Sequence, residues 1–95
     1  MNEYEIMVII NPELDEEGVA AEIERIQTRL TDLGGQVQKV DRLGRRRLAY
    51  PINKRVEGYY AVLRFQFPVA NLAELERWLK LNENLLRYLN TRLDE

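Results

Sequence analysis

The chain contains no cysteine, no histidine and no serine. These absences remove Cys and Ser nucleophiles, histidine general bases and every Cys/His zinc site. They also remove disulfides, which suits a reducing cytoplasm. No apolar run approaches the roughly 20 residues that a membrane helix needs. No basic-then-apolar leader opens the chain, which speaks against secretion. Repeats, low-complexity stretches and linkers are lacking as well, and 95 residues leave no room for a second core. The expectation is one domain spanning residues 1–95. Its 45% hydrophobic and 32% charged residues place it among soluble globular chains rather than disordered ones.

The formal net charge of −2 conceals an uneven distribution. Residues 1–33 carry nine acids and two bases, residues 34–69 two acids and eight bases, and residues 70–95 five acids and four bases. A middle third at +6 therefore follows an acidic start at −7. Arginine supplies 11 of the 14 bases. Its planar fork suits phosphates and stacks on bases, so the bias leans towards RNA.

Periodicity predicts strand, helix, strand, strand, helix, strand. In the first strand, about Tyr4–Ile10, Tyr4, Ile6, Val8 and Ile10 share one face and Glu5, Met7 and Ile9 the other. Asn11-Pro12 breaks it. Asp15 is placed to cap a helix whose apolar stripe is Val19, Ile23, Ile26, Leu30 and Leu33, ended by Gly34-Gly35. Glu16, Glu17, Glu22, Glu24 and Asp32 read as its solvated face. A second strand starts near Gln36 and reaches Tyr50, with Gly44 marking a bulge. Residues 51–57 read as the link of a basic hairpin with Lys54-Arg55 at its tip. The third strand, Tyr59–Phe67, puts Tyr59, Ala61, Leu63, Phe65 and Phe67 on one face. Asn71 and Glu74 resemble a capping box for a second helix carrying Leu72, Leu75, Trp78 and Leu79. Asn82 to Asn84 turn into a last strand, about Leu85–Leu93.

This order predicts an α+β fold, a ferredoxin-like split βαβ sandwich with a four-stranded antiparallel sheet and two helices on one face. The other face stays open. Such a fold hosts enzymes, regulatory domains and RNA binders alike.

Arg45-Arg46-Arg47 is the sharpest local feature, since three adjacent guanidiniums repel one another unless an anion is near. A charged edge strand that blocks aggregation is the bland alternative. The third-strand signature of an RNA recognition motif fits at Gly58, Tyr59 and Val62 but fails at Glu57, Tyr60, Ala61 and Arg64. Small acylphosphatases share the size and fold. The loop after the first strand, Asn11 to Glu17, is however acidic and free of glycine, which suits phosphate poorly. No acid–base pair and no metal-ligand spacing stands out, so no enzymatic role is expected.

The stretch Gly44-Arg45-Arg46-Arg47-Leu48-Ala49-Tyr50-Pro51-Ile52-Asn53-Lys54 resembles the signature of bacterial small-subunit ribosomal protein six. Tyr4-Glu5-Ile6 with Asn11-Pro12, Gly58-Tyr59-Tyr60, Phe67-Pro68 and the run from Asn84 to Arg87 are similar too, and the likeness covers the whole chain. The resemblance implies the fold inferred above and a cytoplasmic, ribosome-bound structural protein. It implies no cofactor, no metal, no membrane and no small-molecule substrate. The implied partners are small-subunit ribosomal RNA, in the central (platform) domain, and the small basic eighteenth protein of the subunit, as a heterodimer. The family's basic stretch falls on Arg45, Arg46 and Arg47 and its last-strand arginine on Arg87. Lys54 and Arg55 extend the expected RNA patch on charge alone. Some members carry a longer acidic tail, whereas this sequence stops at Glu95.

Met7, Ile9, Tyr60 and Val62 would otherwise remain wet on the open face, and with Arg64 they are the expected partner contacts. A self-associating interaction or regulatory domain, using the same open face, is the alternative.

Overall fold

In the computed structural model, which describes residues 1–52 and 54–93, the alternating start of the chain forms strand β1, Asn2–Ile10. Helix α1 spans Glu16–Asp32. Its start is fixed by Asp15, whose Oδ1 accepts from the Gly18 amide at 2.8 Å, while Glu16 and Glu17 sit favourably at the positive helix end. The helix stops at Gly34-Gly35, whose amides donate to the Thr31 and Leu30 carbonyls. Strand β2 is Gln36–Ile52 and β3 is Arg55–Phe67. Both are longer than expected: residues 51–57 are not a mere link, because Ile52 pairs with Arg55 and the strands run nearly to the tip. Asn53 of the basic signature lies outside the described residues, as do Asp94 and Glu95.

After a 3-10 turn at Val69–Asn71 comes α2, Leu72–Leu81, and then β4, Leu85–Arg92. The capping box expected at Asn71 does not form. Its side-chain amide instead donates to the Leu33 carbonyl at 2.6 Å, tying the end of α1 to the start of α2.

The strands form one antiparallel sheet in the order β2-β3-β1-β4. This is the split βαβ arrangement expected from the sequence. Both helices cover the face bearing Tyr4, Ile6, Val8 and Ile10 from β1 and Tyr59, Ala61, Leu63, Phe65 and Phe67 from β3. Val19, Ile23, Ile26 and Leu30 of α1 and Leu75 and Leu79 of α2 complete the core. Tyr4 and Phe65 stack with centroids 5.8 Å apart, and Phe67 meets Phe65 edge-on. Trp78 flanks the core, and the guanidiniums of Arg25 and Arg29 lie 5.8 and 5.4 Å from its ring centroid.

One acid departs from the expected solvated face of α1. Glu22 is only 2% exposed. Its carboxylate accepts from Asn82 Nδ2 at 2.5 Å, Asn84 Nδ2 at 2.8 Å and Arg25 at 3.2 Å. A buried carboxylate is tolerated only with such partners. The helical period alone could not reveal them, because they come from the distant α2–β4 turn.

Candidate nucleic-acid and partner interface

The basic signature builds an arm from β2 and β3 that extends beyond β1. Gly44, at φ +89°, marks a register shift against β3, which confirms the expected bulge. Beyond it Arg45 pairs with Tyr59, Arg46 with Gly58 and Arg47 with Glu57. Paired residues point to the same side of a sheet, so Arg46 lies on the open face and Arg45 and Arg47 on the helix side. The ladder then breaks: residues 48–51 of β2 stand opposite residue 56 alone before Ile52 meets Arg55. Leu48 and Tyr50, two and four residues after Arg46, lie outside the paired ladder on the side of the open face.

Leu48 is buried there, against Gly58 and Ile9. A Cβ at Gly58 would lie 2.3 Å from Ile9 Cγ2, so the absence of a side chain lets the arm close down. Ile9, expected to be wet, is consequently only 6% exposed. Tyr50 reaches across to β4, where its hydroxyl accepts from Arg87, and the Arg87 guanidinium lies 5.3 Å from its ring centroid.

The expected RNA cations thus occupy different environments. Arg45 donates to the Pro12 carbonyl at 2.6 Å and the Leu14 carbonyl at 3.0 Å. Arg55 donates to Asn11 Oδ1 at 3.2 Å and Glu13 Oε1 at 3.1 Å. Arg42, at the base of the arm, donates to the Tyr59 hydroxyl at 3.0 Å and pairs with Glu16 at 3.4 Å. Arg46, Arg47 and Lys54 are exposed and form no side-chain bond to another described residue. Lys54 sits in the turn with φ +67°.

Beside the arm, the open face holds a cavity of about 330 Å³ lined by Met7, Ile9, Tyr60, Arg87, Tyr88 and Leu89. The register explains it: Tyr60, Ile9 and Arg87 lie in one cross-strand row, and Val62, Met7 and Leu89 in the next. Three of the expected partner contacts, Met7, Ile9 and Tyr60, meet here. Val62 lies beside Met7, outside the lining. Arg64 is one pair further along, where it binds Glu5 at 3.3 Å in an exposed pair. Leu89, which the sequence reading missed, is the most exposed apolar side chain of the groove at 59%. Its place two residues from Arg87 and from Thr91, on the same face of β4, was the available signal. Among the described residues no cluster of acidic side chains could hold a metal ion.

Comparison with known proteins agrees with this arrangement. A family model described as Ribosomal protein S6 matches residues 3–92. Small ribosomal subunit protein bS6 of Dictyoglomus turgidum is 53% identical over the whole of this chain and 98% of its own. The bS6 of Moorella thermoacetica is 43% identical over all of this chain and 97% of its own. The crystal structure of 30S ribosomal protein S6 from Thermotoga maritima has a TM-score of 0.92 at 34% identity, covering 97% of this chain and 87% of that one. The chain therefore belongs to the ribosomal protein S6 family, whose members are structural, non-enzymatic components of the small ribosomal subunit.

Proposed function

We propose that the chain, acting as one domain in the cytoplasm, binds small-subunit ribosomal RNA in the central (platform) domain together with the small basic eighteenth protein of that subunit. The observation that carries this reading is the arm itself. Arg46, Arg47 and Lys54 stand exposed on it, free of bonds to other described residues, beside an open apolar groove. The arm cations supply phosphate contacts, and the groove around Met7, Ile9, Tyr60 and Leu89 receives the partner.

Pairing answers an electrostatic difficulty. Neutralisation of phosphate supplies much of the affinity for RNA, and a chain of net charge −2 repels a polyanion overall. A basic partner reverses the sign of the joint surface. Filter binding to a transcript of the central domain tests the reading. Weak retention by the chain alone and tight retention by the pair are expected. Tight binding by the chain alone at physiological salt would sink it, and a stable homodimer that occludes the groove would favour self-association.

A further inference from the structure

Arg45 and Arg55 already hold protein acceptors. Both of them, one on β2 and one on β3, bind the single segment that follows β1: Arg45 through the Pro12 and Leu14 carbonyls, Arg55 through Asn11 Oδ1 and Glu13. That segment is itself held. The Asn11 amide donates to the Asn84 carbonyl at 2.8 Å, and the Asn84 side chain donates to the buried Glu22 carboxylate. A continuous run of hydrogen bonds therefore connects both strands of the arm to the interior of the molecule.

A lone two-stranded hairpin is marginally stable in water. An arm that had to be ordered when RNA arrived would lose affinity to that ordering. Arg45 and Arg55 each commit two of their five guanidinium N–H groups to acceptors that are already fixed, so a phosphate is left with the remaining donors or must compete with these charge-assisted bonds. We infer that Arg45 and Arg55 are positioning residues that hold the arm in its binding geometry, and that Arg46, Arg47 and Lys54 make the phosphate contacts. This division of labour rests on the RNA-binding reading above.

Two measurements on the full chain test it. The first is amide hydrogen exchange across the arm, without RNA. The second is the salt dependence of binding to the central-domain transcript with the partner protein present. The variants are Arg45→Ala, Arg55→Ala, Asn11→Ala and the triple change of Arg46, Arg47 and Lys54 to Ala. Asn11→Ala is included because it removes an acceptor of Arg55 without altering charge. The three anchor variants should each speed exchange in the arm and weaken RNA binding, by about tenfold, with the salt slope unchanged. The triple variant should leave exchange unchanged and lower the slope by about two. A slope reduced by about one in Arg45→Ala or Arg55→Ala would make that residue a phosphate contact and overturn the inference. Unchanged arm exchange in the anchor variants would overturn it as well. A wild-type slope in the triple variant would instead remove the RNA-binding reading, while the exchange data still decide whether the arm is anchored.

Discussion

Asn84 donates its side-chain amide to the Glu22 carboxylate at 2.8 Å, across 62 positions of sequence. Asn82 binds the other carboxylate oxygen at 2.5 Å, and the Asn84 backbone amide donates to Asn82 Oδ1 at 3.0 Å. The turn between α2 and β4 is thus folded around one buried carboxylate of α1.

Glu22 should be costly to replace. Glu22→Ala strands two amides and is expected to destabilise by about 2–3 kcal/mol. Glu22→Gln keeps the shape but offers one accepting oxygen where Asn82 and Asn84 use two, so a loss of about 1–2 kcal/mol is expected. Urea unfolding measures both. A Gln variant as stable as the parent would show that one accepting oxygen suffices.

Gly58→Ala should destabilise by about 1–3 kcal/mol, because the new methyl group meets Ile9 Cγ2 at 2.3 Å. The cause can be isolated with Ile9→Ala. In a double-mutant cycle on thermal or urea unfolding, the methyl at position 58 should cost less once Ile9 is shortened. Strict additivity would mean that the clash lies elsewhere.

The sequence made the core legible because its residues follow simple periods. Alternation in β1 and β3 marked Ile6, Val8, Leu63 and Phe65, and the stripe in α1 marked Ile23, Ile26 and Leu30. All of these are buried. What escaped was anything set by a distant partner. Glu22 lies at a solvent-type position by composition and is buried only because two asparagines come back to it. Ile9 lies on the open face by alternation and is buried where the bare Gly58 backbone and Leu48 come close to it. The arginines could be counted as a patch, but only the fold separates Arg45 and Arg55, bonded to the segment after β1, from Arg46 and Arg47.

Stability should fall in alkali through Tyr88. This phenol donates to Glu76 Oε2 at 2.7 Å, joining β4 to α2. Burial, reinforced by the Glu76 carboxylate, pushes its pKa from 10.0 up to about 12. The folded state therefore keeps the proton at a pH where the unfolded chain releases it. The stabilisation is complete below pH 10 and is lost as pH rises towards 12. Over that window the parent should lose more stability than Tyr88→Phe, which has no proton there to lose. Equal pH dependence of the two in denaturant titrations would remove Tyr88 as the cause.

The groove can be tested at Leu89, whose exposure lets it change without disturbing the core. Leu89→Arg places a cation among Met7, Ile9 and Tyr60 and beside Arg87. A basic partner would then meet repulsion as well as lost apolar contact, and its affinity should drop at least tenfold, or about 1.4 kcal/mol. Unfolding of the variant should stay within about 0.5 kcal/mol of the parent, as for most surface changes. Leu89→Ala separates the two effects, because it removes apolar contact without adding charge and should cost less than the arginine. Partner binding by Leu89→Arg at parental strength, measured by calorimetry, would place the docking surface on another part of the molecule.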